Sequence, residues 1–101
     1  MINSKKKLSV ILSSLKGFEN PKSELEQYTT ESDFAAEIVW NAFYRREIEG
    51  KVIIDLGCGT GILGIAALLM GAKQVIFVDV DEKALESTKE NIKLIEEKYD
   101  I

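Results

Sequence analysis

The sequence predicts an α/β fold, the opening unit of a doubly wound parallel sheet. Three observations carry that reading. Val52-Ile53-Ile54 and Gln74-Val75-Ile76-Phe77-Val78 are short apolar runs without the alternation of a half-solvated strand. Glycines at 57, 59, 61 and 64 separate them and lead into an Ala/Leu-rich helix former. An acid, Asp79, closes the second run. Strand, glycine turn, helix, strand, acid and helix make a right-handed βαβα unit.

Each element has its own signal. Leu8, Ile11, Leu12 and Leu15 fall on one helical face, and Gly17 is placed to close that helix in a left-handed turn. Residues 18–30 read as an ordered loop around Pro21. A second helix is expected from Thr30 or Ser32, either of which can cap it, to about Arg46, with Phe34, Ala35, Ile38, Val39, Ala42 and Phe43 inward. Gly50 breaks the pattern before the first strand, and Gly71 ends the third helix. Asp81 can cap a last helix whose inner face is Leu85, Thr88, Ile92 and Ile95. Both strands are apolar enough to be covered on both faces, yet two parallel strands alone make a marginal sheet. The expectation is the front half of a larger domain: residues 1–50 an N-terminal helical segment with a lid loop, residues 51–101 the first βαβα unit, incomplete at Ile101.

Composition narrows the function classes. A chain of 101 residues with 46% hydrophobic and 30% charged side chains has a globular balance, not that of a disordered one. The lone cysteine, Cys58, cannot form an internal disulfide, and the expected location is the cytoplasm. The longest apolar stretch, residues 65–70, is far short of the ~20 residues of a membrane span. With no histidine and one cysteine, neither a zinc site nor a Ser-His-Asp hydrolase is expected. The net charge of −4 divides into +4 over residues 1–22 and −8 over the remainder. The lysine-rich end is either an arm for nucleic acid phosphates or a solvated terminus.

The glycine turn carries the chemistry. In Asp55-Leu56-Gly57-Cys58-Gly59-Thr60-Gly61, alternate glycines permit positive φ and bring bare backbone against a ligand. The following helix points its N-terminal N–H groups at the same place. Asp79 lies beside the turn at the carboxyl edge of the sheet, where a carboxylate can accept both hydroxyls of a ribose. An adenosine-containing ligand is implied. Residues 59–64 also fit G-x-G-x-x-G, with Asp79 near the spacing of the dinucleotide fingerprint. Against that, Asp55 would face a diphosphate badly, whereas it suits the ammonium end of a methionine moiety. Cys58 reads as a loop filler, and Trp40 and Tyr44 as core or groove-rim residues.

The D-x-G-x-G-x-G pattern after a strand resembles the cofactor loop of class I S-adenosylmethionine-dependent methyltransferases, with their Rossmann-like fold. Glu26-Gln27-Tyr28-Thr29-Thr30 before a helix resembles the E-Q-Y-x-T segment of one group among them. These are the archaeal and eukaryotic N6-adenine methyltransferases of ribosomal RNA, the methyltransferase-like protein 5 type. The likeness runs through Gly17-Phe18-Glu19, the glycine loop and Val78-Asp79-Val80-Asp81, nearly all of this chain but about half of a family member. It implies that Gln27 and Thr30 close over the methionine end of S-adenosylmethionine. Gly57, Gly59, Thr60, Gly61 and Ile62 would line the cofactor, and Asp79 would hold its ribose. Asp55 would lie near its amino group. Gln27 and Thr30 could instead cap the second helix, Ile62 could be packing, and Asp81 reads as an N-cap.

The family's Asn-Pro-Pro-Phe catalytic loop is missing from a chain whose single proline is Pro21, so no catalytic residue is assigned here. An RNA substrate and a small zinc-binding activator protein are partners implied by the resemblance. Two other readings stay open: a non-catalytic adenosine-ligand module completed by a partner chain, and an NAD-dependent oxidoreductase.

Overall fold

In a computed structural model, residues 2–17 and 31–99 are described. Helix α1 (Lys5–Leu12) and helix α2 (Ser32–Tyr44) precede strand β1 (Val52–Leu56), helix α3 (Ile62–Leu69), strand β2 (Gln74–Val78) and helix α4 (Glu82–Tyr99). The two strands pair in parallel, Val52 opposite Gln74 through Leu56 opposite Val78. β1–α3–β2–α4 is the predicted βαβα unit, and β2 has the predicted bounds.

The core forms where the helices meet one face of this sheet. Leu8, Ile11 and Leu12 of α1, Ala35, Ala36 and Val39 of α2, Ile65, Ala66 and Ala67 of α3 and Ile95 of α4 are all buried in one cluster. Alanines on both α2 and α3 let those two helices approach closely, and Ile53, Val75 and Phe77 close the layer from the sheet side. Gly64 belongs to this packing. A Cβ there would lie 2.8 Å from Phe77 Cζ and 2.9 Å from Val75 Cγ1.

Five local expectations are corrected. The strands are covered on one face only: Val52, Ile54, Leu56, Ile76 and Val78 point to the open side, Leu56 with 76% of its surface exposed. Their apolar sequence specifies a second layer that the described helices, all on the other face, do not supply. Gly17 does not close α1 in a left-handed turn. The helix ends earlier, where Ser13 Oγ donates to the Val10 carbonyl and Ser14 Oγ to the Ile11 carbonyl, competing with the next helical turn. α2 turns Ala35, Ala36 and Val39 inward, while Phe34 and Ile38 face out. Its N-cap is Glu31, without a side-chain cap bond; Ser32 is already helical. α4 buries Thr88 and Ile95 as expected, but the face is rotated so that Ala84 and Asn91 take the places of Leu85 and Ile92. The loop over residues 18–30, including Gln27 and Thr30, lies outside the described residues.

That rotation of α4 brings Asn91 into the centre of the molecule with none of its surface exposed. Its Oδ1 accepts the Lys16 N–H at 2.9 Å, and its Nδ2 donates to the Lys16 and Thr60 carbonyls at 3.0 and 2.9 Å. One amide thus ties the end of the N-terminal segment to the glycine turn. Asn91→Ala leaves these backbone groups without a partner and is expected to lower stability by roughly 3 kcal/mol. Urea unfolding of this variant beside the exposed Lys93→Ala, expected within about 0.5 kcal/mol of the parent, checks it.

Candidate functional site

The candidate site occupies the carboxyl edge of the sheet, where β1 passes through residues 57–61 into α3. Gly57, Gly59 and Gly61 all have positive φ, +65°, +56° and +86°. A side chain at Gly61 would press its Cβ to 2.8 Å from Thr88 Cγ2, so both conformation and space require glycine there. A Cβ on Gly57 would meet nothing within 4 Å, so the turn's backbone is open to a ligand on that side.

Both strand-end acids hold this turn. Asp79 Oδ2 accepts the Gly59 N–H at 2.9 Å while Oδ1 accepts the Asp81 N–H at 2.8 Å. The carboxylate keeps further lone pairs for hydroxyl donors. Asp55 points to the helix-covered face, where Oδ2 accepts the Gly64 N–H at 3.0 Å from the first turn of α3. Burial pushes the Asp55 carboxyl above the usual carboxylate range; the Gly64 N–H opposes this, and the charge of Asp79 adds to it. The residues from Val52 to Ala72 include no lysine or arginine. This edge therefore favours a ligand that brings positive charge of its own.

The remaining expected residues divide by what they touch. Cys58 donates its N–H to the Val78 carbonyl, and its buried thiol lies 3.6 Å from Thr88 Oγ1. Burial pushes that thiol up in pKa, away from the nucleophilic thiolate. Thr60 and Ile62 are buried, Ile62 within the core cluster, so their side chains serve packing and only their backbone is offered to a ligand. Asp81 is the cap of α4: its Oδ1 accepts the Lys83 N–H at 3.0 Å. From the sequence Thr88 was legible only in a core stripe, and Asn91 was not singled out. Thr88 Oγ1 donates to the Gly59 carbonyl at 2.8 Å, so α4 holds the turn from below through two polar side chains. Polar residues at positions 88 and 91 of an inward face were the available signal. Among the described residues no group of acids and thiols could hold a metal ion, and no helix is long and apolar enough to cross a membrane.

Comparison with known proteins agrees with this geometry. Residues 19–100 match the profile of the ribosomal protein L11 methyltransferase (PrmA) family. The chain is 40% identical over 88 residues to the rRNA N(6)-adenosine-methyltransferase Mettl5 of Drosophila melanogaster, covering 86% of this chain and 41% of that protein. It is 63% identical to a Psychrobacter ribosomal protein L11 methyltransferase, but over 46 residues, 46% of this chain and 15% of that protein. A Pyrococcus horikoshii crystal structure described as a candidate RNA methyltransferase superposes with a TM-score of 0.86 at 52% identity, covering 90% of this chain and 46% of that one. The chain thus spans less than half the length of these relatives, and its βαβα unit is the N-terminal part of a class I methyltransferase fold.

Two predictions follow from the site. Gly64→Ala, overpacked against Phe77 and Val75, is expected to lower stability by about 1–3 kcal/mol, read as a lower urea midpoint. Asp55 in the folded chain holds its proton to higher pH than the ordinary value of 3.8, so the folded state binds more protons than the unfolded one just above that value. Stability therefore falls as pH rises through this weakly acidic window, then stays level. Asp55→Asn keeps an acceptor for the Gly64 N–H and removes the charge. The variant is expected to gain on the parent between pH 4 and pH 7 in parallel urea titrations.

Proposed function

The chain belongs to the ribosomal protein L11 methyltransferase (PrmA) family, and from that premise we propose that it is the cofactor-binding half of an S-adenosylmethionine-dependent RNA methyltransferase acting on N6 of adenine in ribosomal RNA. The observation that carries the cofactor reading is the acidic turn: Asp55 and Asp79 flank bare glycine backbone with no basic side chain from Val52 to Ala72. A pyrophosphate would meet repulsion there, while a ligand with an ammonium and a sulfonium would relieve the like-charge contact. What S-adenosylmethionine supplies when bound is an electrophilic methyl group.

This chain's residues bind and orient. Asp79 would accept the ribose hydroxyls through the lone pairs that Gly59 and Asp81 leave open. Gly57, Gly59, Thr60, Gly61 and Ile62 would line the cofactor with backbone, Asp55 would fix the turn and its local charge, and Gln27 and Thr30 would close the methionine end. The RNA reading is supported by extent of likeness. The rRNA N(6)-adenosine-methyltransferase of Drosophila aligns over 86% of this chain, the L11 enzyme of Psychrobacter over 46%. No residue here is assigned to activating the adenine amine. That step falls to the Asn-Pro-Pro-Phe loop expected from the family resemblance, and a zinc-binding activator protein remains a partner proposed on the same ground.

Asp79→Ala is expected to weaken S-adenosylhomocysteine binding at least tenfold, from the loss of charge-assisted bonds that net about 1.5–3 kcal/mol each. Asp79→Asn keeps an acceptor for the Gly59 N–H and isolates the charge. Calorimetric titration beside NAD decides the cofactor: unchanged S-adenosylhomocysteine affinity in the alanine variant, or preference for NAD, overturns the site. Incubating the native full-length product with S-adenosylmethionine and ribosomal RNA, then digesting to nucleosides, should yield N6-methyladenosine by mass spectrometry. Methyl transfer to a ribosomal protein with none to RNA would reject the substrate.

A further inference from the structure

We propose that a groove at the opposite, N-terminal edge of the sheet binds single-stranded RNA, with phosphates on Arg46 and Lys51 and a base stacked on Tyr44; this rests on the RNA-methyltransferase reading above. The groove encloses about 500 Å³ and is lined by Phe43, Tyr44, Arg46, Glu49 and Lys51. Lys51 stands immediately before β1, and its carbonyl accepts the Lys73 N–H at 2.9 Å just before β2. A five-residue strand, about 16 Å long, separates this edge from the glycine turn. The groove is therefore too far away to hold the reacting base and would hold nucleotides several steps along the strand.

Arg46 is the residue that points to a ligand. α2 ends with the Arg46 N–H on the Phe43 carbonyl at 2.9 Å and the Glu47 N–H on the Ala42 carbonyl at 3.0 Å, the two bonds of a Schellman motif. The position between them needs a left-handed backbone, and Arg46 takes it at φ +63°, the one non-glycine residue with positive φ among those described. Glycine would adopt this conformation without the steric penalty a Cβ brings. An arginine kept in this conformation, with its side chain lining a groove, is the observation that motivates a ligand-binding role. Neighbouring Arg45 is engaged by Glu47, Nε to Oε1 at 2.8 Å, whereas among the described residues neither Arg46 nor Lys51 has an ion-pair partner. Glu49, the one acid of the lining, lies against Gly71.

Tyr44 completes the recognition surface. It is 67% exposed, yet its ring is braced by Trp40 at a centroid distance of 5.3 Å and by Phe43 at 5.4 Å. A fixed, exposed aromatic beside two cations suits a nucleobase followed by its phosphates, since every base has a stacking face. Charge sorts the two edges. The glycine turn is acidic, with Asp55, Asp79 and Asp81, whereas the groove at the far edge presents Arg46 and Lys51.

The test is fluorescence anisotropy with a labelled mixed-sequence single-stranded RNA of about 12 nucleotides, at several salt concentrations. S-adenosylhomocysteine affinity and thermal midpoint are read on the same samples. Arg46→Gly is expected to keep or raise the midpoint and leave S-adenosylhomocysteine binding unchanged. It should weaken RNA binding about threefold or more, with the log–log salt slope shallower by about 0.7. Tyr44→Ala is expected to lose about tenfold. Full RNA affinity in both variants overturns the groove while leaving the RNA-methyltransferase reading in place. Equal affinity for polyglutamate overturns the choice of RNA as occupant. Absence of RNA binding by the parent protein overturns the groove and counts against the RNA substrate as well.

Discussion

Everything at the carboxyl edge depends on two strand-end carboxylates holding a glycine turn open. A turn built from residues with positive φ exposes backbone N–H groups that no ladder or helix satisfies. Asp79 takes the Gly59 N–H from the side of β2, and Asp55 takes the Gly64 N–H from the side of β1. The turn is thereby fixed at both ends without filling the space above Gly57. Preorganised backbone of this kind gains affinity because binding need not order it. Three of the four glycines serve different ends. Gly57 leaves the ligand side bare, Gly61 clears Thr88, and Gly64 lets α3 lie against Phe77 and Val75.

α4 is the second support, and a polar one. Thr88 and Asn91 sit on its buried face and reach the carbonyls of Gly59 and Thr60, so the turn is held from the core as well as from the strands. No buried side-chain nitrogen or oxygen is left without a partner among the described residues. Such fully satisfied networks specify one arrangement more sharply than apolar contact does. Asn91 also grips both backbone groups of Lys16. The backbone of Lys16 is thus tied to the glycine turn through the Asn91 amide.

Much of this was legible in the sequence because strong local signals fix it. The β-branched run at 74–78, the glycine spacing and the acid at 79 all point to one fold, though the glycines and the acid left two cofactor classes open, and the strand pairing follows from right-handed crossover. Helix faces were less legible. In α2 the stripe through Phe34 and Ile38 is more apolar than the one through Ala35, Ala36 and Val39, yet the alanines go inward because they let α2 approach α3. Size decides there, and hydrophobicity does not. In α4 a polar stripe outcompeted Leu85 and Ile92 for the centre because the turn's carbonyls had to be met. Gly17 misled because two serines could end α1 earlier. The strands' open face shows the opposite case: Ile54 and Leu56 are apolar, yet none of the described helices covers them.

Asp55 is where the turn departs from what stability alone would select. A half-buried carboxylate beside another carboxylate is unfavourable in the free chain, and one backbone N–H does not offset it. For closing the turn alone, a neutral acceptor at position 55 would bond the Gly64 N–H without that penalty. Local arrangements that work against stability concentrate where binding requires them. The same reasoning holds at the far edge, where Arg46 occupies a position that glycine fits better. One departure is electrostatic and the other steric, and they lie at opposite ends of the same two strands.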